Sequence, residues 1–367
     1  MMPARFSVAF LIFISCAAQL SASDEPRINA THPPLAHCGE IYAPPFEDRS
    51  DAWDRQCDDH GVRSYTHRHD GLGFEILDSE SQACFVPDEE YKLLDLLVDQ
   101  VEAKVQFDPK TSGYAEQLKQ AIVISKTISD TMAENGFGLY IPTDTLSDAL
   151  LNRASAGQTE RHIFDCDTGS FIFLTISDSL KAPVSLVDIT LPSGSGHNYV
   201  QWKLDDSHSM NWDMNGRAEC LTPPNLQAYQ GKPMSREQTL GYALSLRAEM
   251  WSKRQIYDRA LADFHSAMRM YPEDPLSYNN FAWMIATKDV PKRDELMSDA
   301  LNAALKATSI DNTANYLDTL ACVYALKGSF AQALNIENEA LAKSPRNADF
   351  EARLSLFHRS VNCSGAK

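Results

Sequence analysis

The sequence predicts an α+β domain followed by an all-helical repeat array, and three observations carry that reading. A helix-compatible apolar stripe starts after Cys166, and two short runs of strand character follow it around His197 and Asn211. The last third repeats a fixed spacing of small residues.

Length and composition set the frame. With 367 residues and 44% hydrophobic content, the chain can build two or three domains with real cores. Its formal charge of −17 argues against nucleic acid or an anionic membrane surface as partner. Residues 1–23 carry Arg5, an apolar run from Phe6 to Ile14 and the small residues Ser21-Ala22-Ser23, the pattern of a signal peptide. That run is shorter than the ~20 residues a spanning helix needs, and no later segment qualifies. The expectation is an extracytoplasmic protein, periplasmic or secreted, without a membrane span. A lipoprotein is the lesser alternative, because Phe13 fits poorly in the box Phe13-Ile14-Ser15-Cys16.

Seven cysteines follow the leader: Cys38, Cys57, Cys84, Cys166, Cys220, Cys322 and Cys363. An odd number in an oxidising compartment leaves at least one thiol. In the Cys-, His- and Pro-rich segment 24–86, with little periodicity, bridges are expected to replace a core, using Cys38, Cys57 and Cys84, with Cys220 as fourth member. Cys57, His60, His67 and His69 offer a metal-binding alternative, but their spacing matches no standard zinc site, so neither metal nor cofactor is expected.

Pro87-Asp88-Glu89-Glu90 opens an amphipathic helix reaching about Lys104, with Leu93, Leu94, Leu97, Val98 and Val101 on its apolar side. A second helix spans Gly113 to Glu134, and Leu146, Ala149 and Leu150 suggest a short third. After the polar opening Asp165-Cys166-Asp167-Thr168, the residues Phe171 to Leu174, Ile176 and Leu180 continue a helix. A thiol on a first helical turn lies among free N–H groups at the positive end of the macrodipole, which favours thiolate. His197 precedes the strand pattern Tyr199, Val200, Trp202, Leu204, and Ser209 to Asp213 reads as the return strand. A hairpin would bring Asp213 to His197, fixing the tautomer while the other ring nitrogen takes the Cys166 proton. His208 is the rival base, but in the Asp205-Asp206-Ser207 turn it is expected to be solvated; His162, four residues before Cys166, is a candidate to line the cleft.

Residues 87–220 resemble the transglutaminase-like superfamily, the papain-related cysteine acyltransferases and peptidases. The resemblance rests on a helix-opening Cys, a strand His followed by an aromatic-rich run, and an Asp on the next strand. It implies a papain-like core over residues 87–225 with Cys166, His197 and Asp213 as catalytic triad. Glu134 to Pro142 looks like the family's approach to the nucleophile helix. Asn198 stands where many members carry a small residue.

Pro223-Pro224, Gly231 and Pro233 mark a linker to the final third. There Ala248, Ala260, Ala267 and Pro272 match Ala321, Ala333, Ala340 and Pro345, each set spaced by 12, seven and five residues. This resembles the tetratricopeptide repeat, whose helix pairs need small residues at their crossings. Over 235–360 it implies a solenoid of three repeats (241–274, 275–313 and 314–347) and a capping helix from Ala348 to Ser360. Phe281, Ala282, Ala300 and Ala307 mark the middle copy, whose inner loop is expanded at Thr287 to Lys292. Glu337 stands where an aromatic is usual. The repeat resemblance implies a concave face for a protein or peptide, lined by Tyr242, Ser245, Glu249, Asn279, Trp283, Asn315 and Asp318. None of these is basic, so a clamp for a terminal carboxylate is not expected. The sequence thus points to an extracytoplasmic cysteine enzyme acting on amide bonds of a protein or peptide. The alternative is a catalytically silent domain joined to a repeat scaffold.

Overall fold

The computed structural model describes residues 63–140, 143, 145–152, 162–190, 196–214, 221–222 and 231–365. The signal-peptide and lipobox assignments, Pro223 and Pro224 of the linker, and Cys38, Cys57, His60 and Cys220, lie outside these residues. The chain is mixed α and β, mostly helical, and divides into two compact units, one ending at Pro233 and one beginning at Met234.

In the first unit the order is α1 (Leu72–Ser81), α2 (Asp88–Glu102), α3 (Tyr114–Glu134), β1 (Phe137–Tyr140), α4 (Leu146–Leu150), β2 (His162–Phe164), α5 (Cys166–Ser179), then β3 (Val184–Thr190), β4 (Gly196–Lys203), β5 (Ser209–Trp212) and β6 (Leu221–Thr222). Strands β3 to β6 form an antiparallel meander, and β1 pairs with β2 in parallel. Helix α5 is the hub. It packs on β3 and β4 and is touched by all four other helices. Every residue from Thr168 to Ser177 is buried, which explains why its sequence is apolar nearly all round and not simply striped.

Close approach makes this packing possible. Gly73 of α1 donates its N–H to Thr175 Oγ1 at 2.7 Å, and a Cβ at Gly73 would stand 2.4 Å from that oxygen. A Cβ at Gly169 would come within 2.7 Å of the Phe164 ring. Helix α1 falls inside the segment expected to lack a core of its own. Leu72, Phe74, Ile76 and Leu77 are all buried, while Glu75 is exposed and Asp78 and Ser79 partly so, and the helix is only ten residues long, too short for the period to stand out. Its Glu80 accepts from the N–H groups of Leu146 and Ser147, both at 2.9 Å, and so caps α4. The preceding stretch is held by Asp95, which accepts from the backbone of Arg68 and His69 and from the Tyr65 hydroxyl.

The second unit is entirely helical: α6 (Arg236–Lys253), α7 (Tyr257–Met270), α8 (Pro275–Thr287), α9 (Arg293–Ile310), α10 (Ala314–Leu326), α11 (Phe330–Lys343), α12 (Ala348–His358) and a 3-10 turn at Cys363–Gly365. Each helix packs on the next, and α6, α8 and α10 also touch in succession. Ala248, Ala260, Ala267, Ala282, Ala300, Ala307, Ala321, Ala333 and Ala340 are all fully buried, so there is no room for a larger side chain where helices meet.

The turns repeat as well. Gln255 (φ 63°) and Gly328 (φ 76°), each seven residues after the first alanine of its set, take the left-handed conformation. The bonds Ile256 N–H to Trp251 O and Ser329 N–H to Tyr324 O are both 2.9 Å. Between α8 and α9 the expanded connection runs from Lys288 to Lys292. A disulfide links Cys322 of α10 to Cys363, with Cα atoms 5.6 Å apart. Sequence spacing does not indicate this pairing.

Candidate active site

The thiol sits where local sequence puts it. Asp165 is the N-cap of α5. Its Oδ1 accepts from the Thr168 N–H at 3.0 Å, and the Asp165 N–H donates to Thr168 Oγ1 at 3.2 Å, a reciprocal capping box. Asp165 Oδ2 also accepts from the Thr143 N–H at 2.8 Å. Cys166 is therefore the first residue of a helix whose start is fixed from two sides. It is partly exposed and carries a thiol where the other described cysteines are in disulfides. Burial pushes the Asp165 carboxyl above the ordinary carboxylate range, against the lowering effect of its N–H donors.

The imidazole and carboxylate come from neighbouring strands. His197 is the second residue of β4, paired with Ile189, and Asp213 follows the last residue of β5, Trp212, which pairs with Val200. The hairpin brings His197 Nε2 to 2.8 Å from Asp213 Oδ2, with both side chains almost completely buried. A carboxylate at Nε2 holds the proton on that nitrogen and leaves Nδ1 as the basic position.

Asn198 joins the two halves. Its Nδ2 donates to Asp167 Oδ1, and its Oδ1 accepts from Ser170 Oγ at 3.0 Å. The residue after His197 is thus tied to the residue after Cys166, and β4 is clamped to the first turn of α5. Where the resemblance suggested a small side chain, this chain uses a fully buried amide with partners on both its oxygen and its nitrogen.

The remaining histidines separate clearly. His162 does not stand free in a cleft. It is buried in β2, stacked 4.7 Å from the Phe137 ring, with Nδ1 at 3.1 Å from the Leu151 carbonyl. His208 lies in the β4–β5 turn, half exposed, and its Nδ1 is 2.8 Å from Asp205. His67 Nδ1 contacts the His69 carbonyl at 2.6 Å, while His69 Nε2 lies 2.8 Å from Asp99. Among the described residues no cluster of His, Cys, Asp and Glu is arranged to hold a metal ion.

In the second unit Ser245, Tyr242 and Asp318 are buried, so they do not form an open lining as the repeat pattern suggested, whereas Asn315 is exposed. Sequence spacing misses Arg353 of α12. Its Nε lies 3.0 Å from Asp318 Oδ1 and its guanidinium stacks 5.1 Å from the Trp283 ring. It comes from outside the repeat register, so no spacing within one repeat announces it. Asp165 and Asn198 differ in how visible their roles are. The Asp-x-x-Thr capping pattern is present to be read in the sequence, whereas the role of Asn198 depends on contacts across 28 and 31 residues.

No protein-family model matches this sequence, and no curated protein matches it.

Proposed function

We propose that the first unit is a transglutaminase-like cysteine enzyme of papain-like architecture that acts on amide bonds of a protein or peptide outside the cytoplasm. The buried 2.8 Å contact between His197 Nε2 and Asp213 Oδ2 carries this reading. Support comes from the thiol of Cys166 on a capped first helical turn and from the tie between its neighbour Asp167 and Asn198.

In this mechanism Nδ1 of His197 takes the proton of Cys166 and the thiolate attacks the amide carbonyl. Asp213 stabilises the resulting imidazolium and keeps the ring oriented. Collapse of the adduct breaks the C–N bond, the amine leaves with the proton from His197, and a thioester remains on Cys166. Water or an amine, deprotonated by Nδ1, then attacks the thioester and releases the thiol. The second unit, in this reading a tetratricopeptide-type stack, selects the protein or peptide. Among the described residues no helix is long and apolar enough to cross a membrane.

The test is competitive labelling of the exported protein with iodoacetamide, mapped by mass spectrometry. Cys166 is expected to react well before any other cysteine, and His197→Ala to slow it strongly. Equal, slow labelling in both proteins would leave the catalytically silent scaffold in place of the enzyme.

A further inference from the structure

We propose that residues 361–365, which follow α12, form a strap across the face built by α8 and α10, locked by the Cys322–Cys363 disulfide and released by a dithiol reductant. Its regulatory meaning rests on the reading of the second unit as a peptide-selecting stack, since only then does the strap occupy a binding face.

Register places the disulfide on that face. Ala248, Ala282 and Ala321 are the fully buried small residues of α6, α8 and α10, and Glu249, Trp283 and Cys322 follow them at equivalent positions. Three residues before the same alanines stand Ser245, Asn279 and Asp318. Positions four apart share one side of a helix, so the two rows make a single face. Glu249 and Trp283 are partly exposed, but Cys322 is 0% exposed. The strap lies on it: Cys363 is bonded to Cys322, and the turn Cys363–Gly365 packs on both α10 and α8.

The chain is aimed at this face by a turn that it uses elsewhere. Helices α6, α10 and α12 close alike, with Ile256 N–H to Trp251 O, Ser329 N–H to Tyr324 O and Val361 N–H to Leu356 O at 2.9, 2.9 and 3.0 Å. A left-handed residue stands before each donor: Gln255, Gly328 and Ser360 (φ 56°). After Gln255 and Gly328 a second helix follows at once, whereas after Ser360 the chain runs back to α10 and α8.

The strap is built to come off without its helix. Val361, Asn362, Cys363 and Ser364 are each only partly buried, so the covalent bond holds them more than any core does. Helix α12 has its own anchor, because Phe350 packs in a buried cluster with Leu317 of α10 and Ala340 of α11. Release follows from thiol exchange. One thiolate of the reductant attacks the sulfur of Cys363, the more accessible partner; the bond to Cys322 breaks, and Cys322 leaves as thiolate and takes a proton. The second thiolate of the reductant then attacks its own sulfur in the mixed disulfide and frees Cys363. Two electrons and two protons pass to the two cysteines, and the reductant ends as a disulfide.

The full-length Cys363→Ser protein imitates the reduced state, and the test is iodoacetamide labelling of its Cys322 at urea concentrations below the unfolding transition, mapped by mass spectrometry. If the strap lifts locally, the rate should change less than about twofold per molar urea. Reduced wild type should behave alike, which covers the case of a poorly folded variant. A rate that climbs roughly fivefold or more per molar would mean that Cys322 is reached only by unfolding the unit, and would overturn the strap. A second arm tests the reading beneath it. A peptide of residues 359–367, and a scramble of it with the cysteine in place, are offered to Cys363→Ser in a thiol-exchange buffer. The native peptide should be captured at Cys322 about tenfold more than the scramble. Equal capture together with urea-independent labelling removes peptide selection from the second unit and keeps the redox strap; urea-dependent labelling removes the strap whatever the peptides do.

Discussion

Asn198 donates its side-chain N–H to Asp167, and by that single bond the residue following His197 is held to the residue following Cys166. Substituting Asn198 by Ala would leave the Asp167 and Ser170 side chains without this partner in the β4–α5 contact. A loss of about 1–3 kcal/mol in urea unfolding is expected, chiefly from leaving the buried Ser170 hydroxyl without its acceptor. Cys166 should alkylate more slowly in Asn198→Ala even where the protein is fully folded. Unchanged alkylation would show that the clamp serves stability alone.

The pH dependence of alkylation reports the proposed pair. A free cysteine titrates near pH 8.5, so an unaided Cys166 would gain reactivity only around that pH. With His197 as partner the rising limb should lie below pH 8, and His197→Ala should move it up by at least one unit. Asp213→Asn should retain the fold but lower turnover, because the amide no longer holds the Nε2 proton with a charge.

The second unit carries its own titrating device. Glu337 occupies in the last repeat the position that Phe264 holds in the first, and both are fully buried. Burial, reinforced by the neighbouring Asp318 carboxyl, pushes Glu337 up to about 9. Its folded value lies above the unfolded one of about 4.3, so the folded protein binds the extra proton and stability falls as pH rises between those values. Thermal unfolding should therefore show a Tm that declines from pH 5 to pH 9. Glu337→Gln, which keeps the shape and cannot ionise, should flatten that decline and raise the Tm at pH 8. A Tm independent of pH in the wild type would contradict a protonated Glu337.

Reduction offers a separate lever on the same unit. The Cys322–Cys363 bond closes a loop of sequence separation 41, for which chain entropy gives about 4 kcal/mol. Cys363→Ser should lower the urea midpoint of the helical unit clearly, and Cys322 should resist iodoacetamide until a reductant is added. Rapid labelling of Cys322 in untreated protein would rule out the pairing.

Gln255 holds the left-handed turn position that Gly328 fills in the corresponding turn. Replacing it with Gly relieves the Cβ strain, offset in part by unfolded-state entropy, for a net change within about 1 kcal/mol. A stabilisation of that size in urea unfolding is expected, whereas Gly328→Ala should destabilise by a similar amount.

Much of the helical content is legible in the sequence because it is periodic or punctuated. The stripe from Leu93 to Val101, the polar opening before Cys166 and the alanine spacing from Ala248 to Ala340 each follow from one element's own residues. Helix α1 is not legible, since its ten residues give the apolar and polar faces too few turns to stand out. Neither is β2, three residues long and paired in parallel with a strand 25 residues earlier.

By itself the sequence determined where each residue of the proposed site stands in its local element: Cys166 after an N-cap, His197 at a strand mouth, Asp213 at the end of a strand. Hairpin pairing of β4 with β5 is also a local matter, which is why the amino-acid order alone matches His197 with Asp213. Only the tertiary structure decided that Asn198 bridges Asp167 and Ser170, that Arg353 reaches Asp318 and that Cys322 finds Cys363. These contacts join segments far apart in the chain, and Asn198 among them satisfies polar groups that no single segment can satisfy alone.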